Sequence, residues 1–515
     1  MSNELIMNIT PGETRIARLE GGQLTELYVE REGDQQITGN IYKGRITRVL
    51  PGMQAAFVDI GLEKAAFLYV SDVVPDLFEE EEEEEEENGQ TNGEGASPTQ
   101  GKRPERRGRR WRGPLPKIEE LVKEGQSIVV QVAKDPIRTK GARITCHISL
   151  PGRYVVSMPT VDHVGVSRRL GSHGERMRLK QIISANRSSK GGFIARTISA
   201  GATEEALTAD MKRLNQIWDE IYTKQEKARP PAMIYNDLSL ILRSVRDLMS
   251  PDIDRLVIDS EEDYQDILKF MEQFMPDLAN RVEFYNSEAP LFDVYGIETE
   301  INRALGKKVW LKSGGYLIID RSEALTAIDI NTGRFVGRHD FEETILQTNL
   351  EAAQEIAYQL RLRNIGGIII IDFIDMERFP NRQKVYYTLK DALRKDKVRT
   401  TISKISELGL VEMTRKRTRD ALTEMLSETC IYCNGKGHIK TPQTVAFEIF
   451  RDLKRTFRHI NGRSIVVRVN PRVAQILFHE ARERLDGMER RFQKRILVET
   501  DETWHVEKFE ITTKG

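Results

Sequence analysis

The sequence predicts a multidomain α/β protein with a small five-stranded barrel near its start. Three observations lead there. At 515 residues the chain exceeds what one hydrophobic core holds, so it divides into several domains. Short apolar–polar alternations broken by glycine turns fill its first part. Over about residues 280–425, strand patterns alternate with helical ones, the signature of a sheet covered by helices.

Residues 4–31 alternate as "ELIMNIT", "ETRIARLE" and "LTELYVER", with Pro11-Gly12 and Gly21-Gly22 as turns. "NIYKGRITRVLPGMQAAFVDIGLEKAAFLYV" then holds three strand patterns around Pro51-Gly52 and Gly61, and "SIVVQVAKD" and "TKGARITCHISL" resume the series. Five such strands fit an OB-fold. They are interrupted at about 76–116, where nine glutamates at 79–87 precede a stretch, 102–112, with seven Lys or Arg against one Glu. This insert is too polar to offset its ordering entropy and reads as a disordered loop. A solvated charged loop is the plain interpretation; an acidic arm competing with a polyanion for the barrel strands is the other.

Residues 147–200 mix Gly, Ser and Arg around short strands, and helical patterns follow near 203–228 and 234–250. Farther on, "GGIIIIDFID" reads as a fully buried strand, covered on both faces. The last part, 441–515, gives a helix at 443–458, the strand "SIVVRV", another helix, and strands "RILVET" and "WHVEKFEI", a compact basic α/β module.

Composition excludes several classes. The chain is 39% hydrophobic and 30% charged, with a formal net charge of −1. No run approaches the roughly 18 apolar residues of a membrane span. The start lacks the basic and apolar regions of a signal peptide. Three cysteines rule out a disulfide scaffold and favour a reducing compartment, hence a cytoplasmic protein.

Two strands carry chemistry. In "ALTAIDINTGR" (324–334), alternation puts Ala327, Asp329 and Asn331 on one face and Ile328 and Ile330 on the other. A helix follows, with a capping-box-like start at Asp340 and Glu343, and ends at Gly366-Gly367. "IIIIDFID" then places Asp372 after four isoleucines. A carboxylate thus ends each strand of a strand–helix–strand unit, where open α/β sheets bind ligands. Two carboxylates and an amide suit Mg²⁺. Aspartates at strand ends also cap turns, and the residues alone leave both roles open. Asp375 rivals Asp372, and by alternation it points to the opposite side.

"EALTAIDIN", "TNLEAA", "QLRLR", "GGIIIIDFIDM" and "ISELGLVEMTRKR" resemble the catalytic region of the bacterial ribonuclease E/G family, and the likeness runs collinearly along the chain. The absence of an extended tail resembles the ribonuclease G branch more than full-length ribonuclease E. The resemblance implies an RNase H-like domain divided between 1–38 and 242–304. Between these parts it places an S1-motif OB-fold at 39–146 and a 5′-end sensor at 147–241. A DNase I-like catalytic domain at 305–426, a zinc-link at 427–440 and a small dimerisation domain at 441–515 complete the order.

It implies a Mg²⁺-dependent endoribonuclease acting on single-stranded RNA, on ribosomal RNA precursors and messenger RNA, stimulated by a 5′-monophosphate and leaving a 5′-phosphate and a 3′-hydroxyl. Asp329 and Asp372 match the family's Mg²⁺ ligands, and Asn331 the amide that positions the attacking group. Phe57, Phe67 and Lys140 match RNA contacts, although aromatics in barrel strands are usually core. Gly152, Val156, Arg196 and Thr197 match the 5′-phosphate sensor; alone, Arg196 is one more surface arginine. A non-catalytic RNA-binding scaffold is the rival, and the intact acidic cluster argues against it.

"TCIYCNGKGH" (429–438) holds Cys430 and Cys433 at zinc-ligand spacing. His438 is a conceivable third ligand, no fourth is nearby, and Cys146 lies within the barrel pattern. Two reduced cysteines in a turn, or a redox pair, fit the same residues. The resemblance implies instead a Zn²⁺ shared between the two chains of a homodimer, with a dimer of dimers as the next assembly.

Overall fold

Apolar alternation in the first thirty residues folds them into a meander of strands Asn3–Thr10, Glu13–Glu20 and Gln23–Arg31. The computed structural model describes residues 2–33, 36–73, 116–136, 141–167, 169–187, 191–333, 341–406, 408–457 and 464–514. The charged insert, apart from residue 116, lies outside them, as do Lys140 and the proposed cap at Asp340. The described residues form two compact units that divide after Leu422. No helix among them is long and apolar enough to cross a membrane.

In the first unit, strand Asn3–Thr10 pairs on its other side, in parallel, with Arg255–Ile258, which in turn pairs with Val282–Phe284. Chain from either side of the barrel thus shares one sheet. The Asp259 carboxylate fastens the junction, accepting from Asn8 Nδ2 at 2.6 Å and the Ile9 amide at 2.8 Å.

The barrel is built from Ile41–Leu50, Ala55–Asp59, Ala66–Tyr69, Arg143–Thr145 and Ser127–Lys134, hydrogen-bonded in that order and closed by the first strand pairing the last. These are the five expected strands. Ile46, Val58, Leu68, Val130 and Ile144 fill it. Outside it, Ala232–Tyr235 adds a sixth strand beside Ile41–Leu50. The helix expected at 234–250 is therefore shorter, Leu240–Leu248, because an open strand edge offered main-chain hydrogen bonds to the residues before it. A four-stranded sheet, Val164–Val166, Gly192–Ala195, Val155–Met158 and Leu150–Pro151, packs with helices His173–Asn186 and Glu204–Lys227. The first of these helices was not marked in the sequence. It buries only Leu179 and Ile183, and its start is signalled by Ser172, which caps Glu175.

Next comes a six-stranded sheet in the order Lys308–Trp310, Tyr316–Arg321, Leu325–Asn331, Gly367–Asp372, Leu410–Arg415 and Thr400–Ile402. Ile328, Ile330, Ile369, Ile371, Val411 and Met413 share one core with Ala353, Ile356 and Leu360 of helix Phe341–Leu362 and with Val385 and Leu389 of helix Phe379–Leu393. The expectation of a strand buried on both faces is corrected here. Ile369 and Ile371 are fully buried, Ile370 is half-buried, and Ile368 is 51% exposed. Among the described residues, helices cover one face only, and four isoleucines in a row conceal which.

Two anchors set the ends of the strand–helix–strand unit. The Arg361 guanidinium, near the end of the long helix, pairs with Glu20 at 2.7 Å on the first sheet. Arg415, buried, pairs with buried Asp396 at 2.7 Å and donates to Asn364 Oδ1 and Ile365 O in the turn before the Asp372 strand.

The second unit holds helix Pro442–Thr456 and a three-stranded sheet of Arg495–Thr500, Ser464–Val469 and Phe509–Lys514. Two helices, Pro471–Phe478 and Arg482–Phe492, stand where one was expected. The final strand begins at Phe509 rather than at Trp504, because the Asp501 carboxylate accepts from the Thr503 amide and hydroxyl and turns the chain there.

Candidate functional site

Parallel pairing sets Asp329 directly beside Asp372, in register, at the C-terminal ends of neighbouring strands. Both are on the uncovered face. Asn331, two residues on from Asp329 and therefore on the same face, donates from Nδ2 to Asp329 Oδ2 at 2.8 Å. Loss of hydration, then the neighbouring charges of Asp329 and Asp375, hold the Asp372 carboxyl above its ordinary range. Asp375 thus contributes to the site's negative field. The strand ends at Asp372, so alternation does not govern where Asp375 lies.

A buried amide that sequence reasoning missed holds this corner together. Asn349, on the long helix, is 0% exposed. Its Nδ2 donates to Ile374 O at 2.8 Å and its Oδ1 accepts from Ile374 N at 3.1 Å, clamping the backbone between Asp372 and Asp375. About two turns earlier, at the helix start, the Glu342 carboxylate accepts from the Arg378 amide at 3.1 Å and from Asn381 Nδ2 at 2.8 Å. The loop after the strand is therefore held from the helix at two points. Glycine makes the other flank possible: a Cβ on Gly315 would lie 2.8 Å from Asn331 O.

Among the described residues, no three His, Cys, Asp or Glu side chains converge as a metal cage. Two carboxylates beside an amide do not make a zinc site. They do fit Mg²⁺, which keeps most of its waters and takes one or two carboxylates.

On the barrel, Phe57 and Phe67 are half-buried, directly opposite each other, with rings edge-to-face at 5.3 Å. Neither is in the core. Arg48 lies across from Phe57, and Arg143 beside Phe67, so a cation flanks each end of the aromatic row. Tyr69, 39% exposed, extends the row, 4.5 Å from Phe67 and with the Arg143 guanidinium 5.0 Å from its ring. Arg48, Tyr69 and Arg143 were not singled out in the sequence; alternation marks them as outward-facing, but only the register shows that they are neighbours.

Gly152, Val156, Arg196 and Thr197 gather on the four-stranded sheet. Arg196 Nη1 donates to Gly152 O at 2.6 Å and pairs with Asp247 at 2.8 Å, which leaves the Nε and Nη2 donors uncommitted among the described residues. The Thr197 hydroxyl is 3.0 Å from that of Ser167. Val156 is opposite Ile194, two residues before Arg196. Two aspartates missed in the sequence hold these residues. Asp210 accepts from the amides of Arg153, Tyr154 and Val155, and it lies so close that a Cβ on Gly152 would be 2.6 Å from its oxygen. Burial pushes the Asp210 carboxyl up in spite of those amides. For Asp247 burial acts the same way but loses: hydrogen bonds from Arg246 and the charge of Arg196 hold it down, so it remains an anion that aims Arg196.

Cys430 is exposed and Cys433 half-buried in a turn whose Asn434, Gly435 and Gly437 all have left-handed backbone. The Cys433 and Tyr432 amides donate to the Cys430 sulfur and lower its pKa. His438 joins no three-ligand cluster with them. Cys146 is the opposite case: burial, with some help from Asp72, pushes its thiol up to about 12.

Comparison with known proteins agrees across the chain. Residues 149–418 match the family model described as the ribonuclease E/G family, and residues 429–514 one described as a ribonuclease E/G thioredoxin-like domain. Ribonuclease G of Salmonella typhimurium is 44% identical over 511 residues, and that of Haemophilus influenzae 45% over 509, each alignment covering 99% of both chains. Ribonuclease E of Haemophilus influenzae is 36% identical over 513 residues, 99% of this chain but 52% of that one.

The Asn349 clamp makes a prediction. Asn349→Ala should lower kcat by up to about a hundredfold, the effect of an angstrom-scale misplacement of reacting groups, with KM for RNA little changed. Steady-state kinetics on a short unpaired oligoribonucleotide checks this; an unaltered kcat means that the clamp does not set the geometry of Asp372.

Proposed function

Because the chain belongs to the ribonuclease E/G family and is an endoribonuclease of RNA processing, we propose that it hydrolyses single-stranded RNA with Mg²⁺ held by Asp329 and Asp372. The in-register pairing of these two carboxylates on an uncovered sheet face carries the proposal. Mg²⁺ supplies such a site with a water of lowered pKa and with neutralisation of charge on the phosphate. The chain's own residues do the rest. Asn331 fixes the orientation of Asp329 through their hydrogen bond and presents its amide to the attacking group. Asn349 keeps Asp372 in place. Water oxygen ends on phosphorus, and the 3′-oxygen leaves and takes up a proton, giving a 5′-phosphate and a 3′-hydroxyl.

On the barrel, Phe57 and Phe67 stack unpaired bases, each stack contributing about 1–3 kcal/mol, while Arg48 and Arg143 neutralise phosphates. Lys140 is proposed to join them. Arg196 and Thr197, with backbone from Gly152 and Val156, recognise a 5′-monophosphate, which suits a guanidinium fork and a hydroxyl. Substrates are ribosomal RNA precursors and messenger RNA carrying that end. Cys430 and Cys433 form half of a zinc site, completed by the same turn of a second chain in a homodimer. The protein works in the cytoplasm.

Asp329→Asn and Asp372→Asn should each bring cleavage to background while leaving RNA binding largely intact; near-normal turnover at saturating Mg²⁺ in either would sink the metal assignment. Arg196→Ala should slow cleavage of 5′-monophosphorylated RNA and leave 5′-hydroxyl RNA nearly untouched, as paired oligonucleotides would reveal; equal slowing of both makes Arg196 structural. Purified protein should carry about one zinc per two chains. Cys430→Ser with Cys433→Ser should lose the metal and weaken self-association in sedimentation; an undisturbed oligomer would defeat the shared site.

A further inference from the structure

We infer that Lys308, Trp310 and Tyr316 form a base-stacking subsite for unpaired RNA beside the carboxylates, an inference that rests on reading Asp329 and Asp372 as the cleavage site. Nothing in the comparisons assigns a role to these three residues. Lys308–Trp310 is the edge strand of the sheet that carries the carboxylates, antiparallel to Tyr316–Arg321. Trp310 is directly opposite Tyr316, and Tyr316 directly opposite Asn331. Directly opposed residues share a face, so Trp310, Tyr316 and Asn331 make one row across the uncovered side of the sheet. The adjacent row is Lys308, Ile318, Asp329 and Asp372. Two inter-strand spacings of roughly 4.8 Å put Trp310 about 10 Å from Asn331, within reach of a nucleotide flanking the scissile phosphate.

The local chemistry fits a nucleobase. Trp310 and Tyr316 meet edge-to-face, with centroids at 5.4 Å. Lys308 Nζ is 4.0 Å from the indole centroid and 3.6 Å from the phenol centroid. The lysine has an intramolecular purpose, since a cation over aromatic faces steadies the hairpin and guards an edge strand. That purpose does not account for the indole, which is 62% exposed. Every base presents a π-face, so such a platform tolerates any sequence but needs the base unstacked. Lys308 adds the positive charge that a polyanion seeks at a sheet face otherwise dominated by Asp329 and Asp372. A polyanionic, unpaired strand is therefore the occupant that both the aromatic pair and the lysine favour, and the adjoining carboxylates give it a reason to lie there.

The test uses the full chain and a set of short single-stranded 2′-O-methyl oligonucleotides, each abasic at one position, with binding read by fluorescence anisotropy. In the unaltered protein, loss of one particular base should weaken binding roughly tenfold, one stacking contact's worth. Trp310→Ala should bind the intact oligonucleotide about tenfold more weakly, and for it the same abasic position should cost nothing further. Trp310→Phe should retain the original profile. An abasic profile and affinity identical in Trp310→Ala and the unaltered protein would overturn the subsite. So would a Trp310→Ala variant whose only changes are a lower Tm, marking a hairpin stabiliser, or an altered oligomeric state, marking a protein contact. The same scan on Asp329→Asn separates the two readings. An intact profile with cleavage lost supports both, and an intact profile with cleavage retained defeats the cleavage site alone.

Discussion

The register between two parallel strands is the constraint on which the rest depends. Asp329 meets Asp372 only because Ile328 pairs with Ile371 and Ala327 with Ile370. A slip of one residue would turn every side chain to the other face. What prevents it is burial of Ile328, Ile330, Ile369 and Ile371 against the two helices. Each such side chain contributes about 1.5–3 kcal/mol, so the four together outweigh the repulsion between two adjacent surface carboxylates, about 1–4 kcal/mol at 4 Å depending on local dielectric. The hydrophobic face thus forces together charges that repel, and it does so on the open side, where a cation and waters can reach them.

That division between faces was legible in one strand and hidden in the other. "ALTAIDIN" alternates, so its exposed Asp329 and Asn331 could be read directly. "IIIIDF" does not alternate, because Ile368 is apolar although half exposed, and an apolar residue on an open face looks like core. The five barrel strands were legible from glycine-punctuated alternation, and so was the long helix. Missing were features that exist only after folding. Strand Ala232–Tyr235 exists because a barrel edge receives it. Asn349 reads as one polar residue among many in "QTNLEAA" until the Ile374 backbone is beside it. Asp210 and Asp247 sit on helices far in sequence from the Gly152 and Arg196 they position. Arg48, Phe57, Phe67 and Arg143 become one row only once four strands are in register.

Buried polar groups recur as the means of holding exposed functional ones. Asn349 holds the strand end bearing Asp372, Asp210 holds the loop at Gly152, and buried Arg246 steadies the half-exposed Asp247 that pairs with Arg196. Each spends desolvation free energy that hydrogen bonds must recover, since an unsatisfied buried polar group costs about 1–3 kcal/mol. The arrangement trades adaptability for fixed geometry, as a site that must place a phosphorus atom requires. Truncating any one of these partners strands the other in a dry environment, so these positions tolerate change less well than the exposed residues they orient.

Electrostatics then dictates how labour is divided over the surface. RNA is a polyanion, and a face carrying Asp329, Asp372 and Asp375 repels it unless a cation intervenes. Affinity must come from other groups. In the proposed function the barrel row supplies it with aromatic faces between Arg48 and Arg143, whose stacking is insensitive to the carboxylates' charge. In the same proposal Arg196 supplies it at a strand's end, where a terminal phosphate carries more charge than an internal one and so gains more from a guanidinium already aimed by Asp247. Under the proposed function, side chains other than the carboxylates hold the substrate, because the carboxylates that make hydrolysis possible are the ones least able to do so.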